Sequence, residues 1–113
     1  MFQLSLFVEC QDNDEALVIL QELIKKIDTY ITSYVLDSNE PYWKIDGWFE
    51  IVCNIETSNV LDMGKAESIL EKILNKWSWN KGRITARSTA DNAGTIFFND
   101  KVKFITCWFE DFE

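Results

Sequence analysis

The chain has 113 residues, of which 47% are hydrophobic and 14% aromatic. It is therefore the size of one domain (residues 1–113) with enough apolar surface for a packed core, which excludes a disordered protein. Its 19 acidic and 11 basic residues give a net charge of -8, which disfavours nucleic acid and anionic membranes as partners. No apolar run is long enough to cross a bilayer, and the first residues lack the pattern of a signal peptide, so we expect a cytoplasmic protein.

The N-terminal segment predicts a strand followed by a helix. In residues 2–10 apolar and polar residues alternate, which is typical of a strand with one buried face. That face holds Phe2, Leu4, Leu6, Val8 and Cys10. Asp12 and Glu15 have the spacing of a capping box, which marks the start of a helix. Leucine and isoleucine at helical spacing then extend this helix to about Asp28.

The next segment predicts two strands joined by a long acidic loop. β-Branched and aromatic residues predict a strand over roughly residues 29–37, and alternation predicts another over residues 46–56. Between them, "DSNEPYWKIDG" contains the only proline of the chain and predicts a loop. In the second of these strands Phe49 belongs to the buried row, whereas Trp48 and Glu50 point away from the helices.

The C-terminal half predicts one helix and three strands. The helix follows "ETSN", and its apolar stripe consists of Ala66, Ile69, Leu70, Ile73, Leu74 and Trp77. Strands are predicted near residues 83–88, at "TIFFN" (95–99) and at "VKFITCWFE" (102–110). Both rows of the last strand are apolar, so its register stays open.

These elements predict an α+β fold. The order β-α-β-β-α-β matches the ferredoxin-like split arrangement, with two helices on one face of the sheet and an additional C-terminal β-hairpin. The triplet "WFE" occurs at residues 48–50 and 108–110, but the flanking residues do not repeat, so we interpret it as two similar strands rather than a duplication. We expect Phe49 and Phe109 to lie in the core.

The sequence supports neither an enzyme nor a metal centre. It has no histidine, and Cys10, Cys53 and Cys107 lie far apart in apolar segments, so we expect three reduced core thiols, no metal and no cofactor. Nucleotide-binding and hydrolase motifs are absent. Carboxylate pairs such as Asp12 and Asp14 are inevitable among 19 acids, so they do not indicate catalysis, and we expect that the protein is not an enzyme.

Aromatic and acidic residues occur together in two stretches and predict a partner-binding surface. Interfaces are enriched in tryptophan and tyrosine, and acids beside them speed the encounter with a basic partner. The candidate residues are Asp37, Glu40, Tyr42, Trp43, Asp46, Trp48, Glu50, Glu110 and Asp111. The alternative is that the aromatics complete the sheet core, and for Trp43 both interpretations stay open. "KWSWNKGR" also mixes aromatic and basic residues, but in an acidic chain this is a weak indication of nucleic-acid binding.

The stretches "DSNEPYWKIDGWFE" and "CWFEDFE", in a small, acidic, histidine-free α+β domain, give the chain a family resemblance. It resembles the bacterial immunity proteins of contact-dependent growth inhibition and other polymorphic toxin systems, in overall character and over its whole length. The resemblance implies a cognate toxin domain as the protein partner, commonly a nuclease with a basic substrate-binding surface. The immunity protein would cover that surface by acidic mimicry of the phosphate backbone, or bind beside it.

A second hypothesis is a ferredoxin-like dimeric module that binds a small ligand or regulates another protein through its open sheet face. A stable homodimer that buries the face of Trp48 would favour this module. A monomer, or a weak homodimer, with a free acidic face would favour the inhibitor. An enzyme that uses carboxylates ranks third, because no motif supports it.

Overall fold

The computed structural model describes residues 1–80, 85–89 and 94–109. Within these residues the chain forms six strands, two α-helices and a one-turn 3-10 helix. In chain order they are β1 (Phe2–Glu9), α1 (Asn13–Lys26), the 3-10 helix (Asp28–Tyr30), β2 (Ile31–Pro41), β3 (Trp48–Thr57), α2 (Met63–Ile73), β4 (Ser78–Trp79), β5 (Thr85–Thr89) and β6 (Val102–Phe109). The predicted α+β class is confirmed.

The six strands form one antiparallel sheet in the order β2-β3-β1-β6-β5-β4. Successive side chains of a strand point to opposite faces of the sheet. One face, which we call the inner face, carries the buried rows of β1, β3 and β6. The buried residues of α1 and α2 belong to the same hydrophobic core as these rows, so both helices pack on the inner face. We call the opposite face the outer face.

The inner face is built from side chains that meet across the central strands. Leu4 on β1 lies directly opposite Cys53 on β3 and Cys107 on β6, and all three side chains are fully buried. At one end of the sheet the ring of Phe2 packs against Phe109, with the ring centroids 5.0 Å apart. Each large side chain buried in this way contributes about 1.5–3 kcal/mol, so these rows hold the sheet to the helices.

Strand β6 resolves the register that the sequence left open. Its buried row consists of Ile105, Cys107 and Phe109, which confirms the expected core position of Phe109. Phe49 on β3 is buried as well. Trp108 lies on the outer face and is exposed. A register shift opposite Phe7 and Val8 also brings Val102 into the core.

Both helices begin at an aspartate that caps them. Asp12 Oδ1 accepts a hydrogen bond from the backbone N–H of Glu15 at 2.9 Å, as the sequence predicts. Asp62 caps α2 in the same way, accepting from the N–H of Lys65 at 2.8 Å. The Glu15 carboxylate accepts a hydrogen bond from Lys101 Nζ at 2.9 Å, which raises the pKa of Lys101 and ties α1 to the turn before β6.

Strand β2 is longer than predicted. It continues to Pro41, so Glu40 lies on a strand and not in a loop, and Asp37, where the predicted strand and loop overlap, also lies on the strand. The N–H of Tyr42 donates to the carbonyl of Trp48 at 2.8 Å, so these two residues form a hydrogen-bonded pair. Because such pairs alternate with non-hydrogen-bonded pairs in an antiparallel ladder, Pro41 occupies a position that makes no backbone hydrogen bond to β3. Proline is tolerated there because β2 is an edge strand. The loop is therefore shortened to residues 42–47.

Strand β1 is shorter than predicted by one residue. It ends at Glu9, so Cys10 follows the strand and is only half-buried, which corrects its expected place in the core. The backbone N–H of Cys10 donates to the carbonyl of Gly47 at 3.1 Å and so connects β1 to the turn before β3.

The predicted strand at residues 95–99 is wrong. This segment has no strand pairing and is bound by a side chain instead: Asn75 Nδ2 donates to the carbonyl of Gly94 at 2.8 Å, and Asn75 Oδ1 accepts from the N–H of Ile96 at 2.9 Å. Phe97 and Phe98 pack against the core as partly buried side chains. Their apolar character therefore serves the packing of a connecting segment.

The C-terminal strands also pair differently from the prediction. The strand predicted near residues 83–88 is β5, and residues 83 and 84 lie outside the described part of the chain. Strand β5 pairs with β6 and β4, and the strand beside β1 is β6. The helix predicted to include Trp77 ends at Ile73. Trp77 is half-buried, and its Nε1–H donates to the carbonyl of Leu70 at 2.9 Å.

A buried hydroxyl on β5 generates a prediction for stability. Ser88 is fully buried, and its Oγ has no hydrogen-bond partner among the described residues. An unsatisfied buried hydroxyl costs about 1–3 kcal/mol, so we expect Ser88→Ala to raise the free energy of unfolding by about 1 kcal/mol. Urea denaturation measures this. The control is Ser5→Ala on the half-exposed outer row of β1, which should change stability by less than about 0.5 kcal/mol. A less stable Ser88→Ala variant would show that the hydroxyl is satisfied.

Candidate functional site

Four aromatic side chains meet on the outer face of the sheet. The ring of Phe7 lies edge-on to Tyr42, with centroids 4.9 Å apart, and 5.3 Å from Phe104. Tyr42 in turn stacks on Trp48 at 6.3 Å. We call Phe7, Tyr42, Trp48 and Phe104 the outer aromatic cluster. All four side chains are half-buried, so they pack against one another and still present ring surface to solvent.

Strand register and one turn bring the outer aromatic cluster together. Phe7 on β1 lies opposite Phe104 on β6 and opposite Glu50 on β3. The turn at residues 42–47 brings Tyr42 back onto Trp48. This turn contains Gly47 with a φ of 84°, in the left-handed region that glycine adopts without a steric cost.

Trp43 extends the outer aromatic cluster into solvent. Its side chain is 82% exposed, more than any other large apolar side chain among the described residues. Its ring lies 6.2 Å from Tyr42, and Lys44 Nζ lies 5.4 Å from the Trp43 ring centroid in a cation–π contact. These positions exclude Trp43 from the core, which was one of the two interpretations that the sequence left open.

Two carboxylates face each other beside the outer aromatic cluster. Glu40 on β2 lies directly opposite Glu50 on β3, and both point to the outer face. Residues paired in this way have Cα atoms about 5.5 Å apart, and like charges directly opposite destabilise a sheet. The ion pairs of the described residues are Lys101–Glu15 and Lys103–Glu9, so neither carboxylate is neutralised within the described part of the chain.

The structure brings together most of the predicted site residues. Glu40, Tyr42, Trp43, Trp48 and Glu50 lie on or beside the outer face. We call Glu40, Asp46 and Glu50 the acidic rim; Asp46 is exposed in the turn between β2 and β3. Asp37 lies apart from the rim, at a register shift on the edge strand β2. Glu110 and Asp111 lie outside the described residues.

Sequence reasoning missed Phe7, Phe104 and Glu9. Phe7 interrupts the polar row of β1, and an aromatic residue in a row that otherwise reads Gln3, Ser5 and Glu9 was the signal available. Phe104 gave a weaker signal because both rows of its strand are apolar. Glu9 lies opposite Trp48, and its carboxylate is 4.0 Å from Lys103 Nζ, so an ion pair borders the cluster on this side.

The pKa values of all three thiols are raised, which disfavours the reactive thiolate form. Burial raises the pKa of Cys53 to about 12, and burial also raises the pKa of Cys107. Burial and the Glu15 charge raise the pKa of Cys10. Within the described residues, no group of three or more cysteine, aspartate and glutamate side chains is placed to hold a metal ion.

None of the described helices is both long enough and apolar enough to span a membrane. Comparisons of the chain with protein-family models, with curated proteins and with solved structures give no significant match. The outer face is therefore the feature of the molecule from which a function can be inferred.

The opposed carboxylates generate a stability prediction. We expect Glu50→Gln to raise the free energy of unfolding by about 0.5 kcal/mol, because it removes one of two like charges that face each other. The matched control is Glu56→Gln, on the same strand and face but opposite Ser33, which should have little effect. Denaturation in low salt measures the difference, and added salt should reduce it. Equal effects of the two variants would show that Glu40 and Glu50 do not repel each other.

The cysteines generate a labelling prediction. At pH 8 in native buffer, a thiol reagent should modify half-buried Cys10 first, while Cys53 and Cys107 should react only as fast as the protein unfolds. A denaturant titration followed by mass spectrometry separates the three sites. Native labelling of Cys53 at the rate of Cys10 would contradict the burial of the β3 inner row.

Proposed function

We propose that this protein is an immunity protein that binds and neutralises a cognate toxin domain, most simply a nuclease, through the outer aromatic cluster and the acidic rim. The proposal is carried by the pair Glu40 and Glu50, which lie opposite each other beside exposed aromatic rings. Neither carboxylate forms an ion pair with a basic residue in the described part of the chain. A sheet gains nothing from such a pair, whereas a basic partner would relieve its repulsion on binding.

The chemistry of the surface supports a basic protein as the partner. Unpaired carboxylates at the spacing of neighbouring strands offer a row of negative charge, which suits a protein surface that normally binds a phosphate backbone. Trp43 and Tyr42 add large, flat apolar area that loses few rotamers on binding. A nuclease active-site groove lined by lysine and arginine is a surface of this kind.

We also propose that β1, α1, β2, β3, α2 and β6 form a ferredoxin-like unit. The strand order β2-β3-β1-β6 supports this assignment, because it is the order of a split β-α-β-β-α-β sheet. In this assignment β4 and β5 extend the sheet beyond β6. The C-terminal hairpin predicted from residues 95–99 and 102–110 does not form, because residues 95–99 are not a strand. The helices occupy the inner face, which leaves the outer face as the surface for recognition.

The genetic test is direct. We expect the reading frame next to this gene to encode a toxin with a variable C-terminal domain. Expression of that toxin domain alone should stop growth, and co-expression of this protein should restore it. Continued growth arrest in the presence of folded protein would overturn the pairing.

The kinetic prediction separates charge from apolar anchoring. Binding of the toxin domain is measured at low and moderate salt. We expect Glu40→Lys and Asp46→Lys to slow association several-fold at low salt, because rim charges act mainly on the encounter. Trp43→Ala should speed dissociation by about thirty-fold, the effect of losing an anchor of roughly 2 kcal/mol.

Controls for these variants lie on the opposite side of the molecule. Glu67→Lys and Glu71→Lys change exposed acids on α2 by the same charge and should leave the rates unchanged. The rim variants must retain the wild-type melting temperature. Wild-type kinetics of the rim variants, with loss of binding in the α2 variants, would place the toxin on the helical side and exclude phosphate mimicry by the outer face.

The dimeric ligand-binding module remains the second candidate. The partial exposure of the outer aromatic cluster favours it, since an apolar sheet face is also suited to a second copy or a flat ligand. Protection of Trp48 fluorescence from an aqueous quencher on dimerisation, without any toxin, would favour this module over the inhibitor.

A further inference from the structure

Strand β2 ends the sheet and has an open edge. Within the described residues it pairs only with β3. Residues 29–36 of this chain, which include most of the open edge, contain no charged residue. Tyr34, Val35 and Leu36 are all exposed, and Val35 is 64% exposed. Edge strands with this composition pair readily with another strand.

Hydrogen bonds at both ends of β3 show which backbone groups of β2 face the open edge. The N–H of Tyr42 donates to the carbonyl of Trp48 at 2.8 Å, and the N–H of Ser58 donates to the carbonyl of Tyr30 at 2.9 Å. Even-numbered residues of β3 therefore direct their backbone groups towards β2. Tyr34 and Leu36 lie opposite the odd-numbered residues Ile55 and Cys53 of β3. Their N–H and C=O groups therefore point away from the sheet, towards the open edge.

The open segment is short because hydrogen bonds close one end and register shifts bound its regular part. At one end Asn13 Nδ2 donates to the backbone carbonyl of Asn39 at 2.6 Å, and Asn39 Nδ2 donates to the carbonyl of Asn13 at 3.0 Å. The start of α1 thus satisfies the edge at Asn39. Register shifts at residues 31–33 and 36–38 bound the regular stretch, which leaves Tyr34, Val35 and Leu36 in regular register with β3 and without a strand on the other side among the described residues.

We propose that a second copy of this chain pairs with this edge, β2 against β2 in antiparallel orientation, centred on Val35. In this register Tyr34 lies opposite Leu36 of the partner subunit, and Leu36 lies opposite Tyr34 of the partner subunit. Both residues direct their backbone groups outwards, so these two pairs form four hydrogen bonds. Val35 packs on Val35 of the partner subunit, which covers the most exposed side chain of the segment.

The edge suits a second copy because it is self-complementary about Val35 and carries no charge. The net charge of -8 repels another copy over most of the surface, and the uncharged stretch before Asp37 is where that repulsion is smallest. In the proposed register Asp37 lies opposite Ser33 of the partner subunit, so these carboxylates do not face each other. A basic partner gains no ion pair from Tyr34, Val35 and Leu36. The dimer uses the sheet edge and is independent of the immunity proposal.

Analytical ultracentrifugation tests the dimer without any toxin. The mass of the wild-type protein should rise from 13.2 kDa towards twice that value between about 1 µM and about 1 mM, since a short edge gives a weak interface. Val35→Lys places two like charges opposite each other and should raise the dissociation constant at least about tenfold. A wild-type protein that stays at 13.2 kDa throughout would overturn the proposal.

Matched variants test whether the effect is specific to the edge. Val18→Lys on α1 and Val60→Lys before α2 change valines that are 55% and 61% exposed, and they should dimerise like the wild type. Circular dichroism confirms that each variant is folded. If Val35→Lys dimerises as well as these controls, the interface lies elsewhere and the proposal fails.

Cysteine crosslinking tests the register in a Cys10→Ser background. Val35→Cys should form a disulfide with its copy in the presence of oxidised glutathione, because Cα atoms of such a non-hydrogen-bonded pair lie about 4.5 Å apart. The control is Ser33→Cys on the same face, whose two copies would lie about 13 Å apart in this register. Crosslinking of Val35→Cys should be at least about tenfold faster. Equal rates would overturn the register.

Discussion

The fold depends on β1 and its two-residue alternation between β3 and β6. Leu4 and Leu6 are fully buried under the helices, so the register of β1 cannot shift by one residue without moving its whole apolar row to the outer face. The same constraint places Phe7 on the outer face, between Glu50 and Phe104. The position of the candidate site on the sheet is thus set by the core, and not by the exposed turn at residues 42–47.

The sequence predicts the parts of the fold that depend on local pattern. The alternation of β1 from Phe2 to Val8, the cap at Asp12, and the helical spacing of α1 and of α2 as far as Ile73 all reflect contacts within a few residues, and they are confirmed. The opposite faces of Phe49 and Trp48 follow from the same local rule. Nothing in this rule specifies which strand pairs with which.

The wrong predictions occur where a distant partner decides the outcome. Pro41 and the polar residues before it indicate a loop, but pairing with β3 extends β2 through them, and the edge position removes the penalty for proline. Residues 95–99 have high strand propensity, but the Asn75 side chain binds their backbone, and they form no ladder. The site shows the same division: Tyr42, Trp43 and Trp48 are close in sequence and were found, whereas Phe7 and Phe104 needed the strand order.

The face and the edge of the sheet differ in the kind of surface that they offer. On the outer face the charges of Glu40 and Glu50 oppose each other, while the β2 edge from Tyr34 to Leu36 has none. In the proposed dimer Val35 and its copy meet on the outer face, so the two-fold axis is perpendicular to the sheet and both acidic rims face the same side. If the proposed toxin-binding role is correct, two such surfaces that face the same side would favour a partner that is itself repeated or tethered, because the second contact then forms at a high effective concentration. The same geometry doubles the negative charge on one side, which strengthens attraction of a basic partner and limits the dimer to a weak, salt-dependent association.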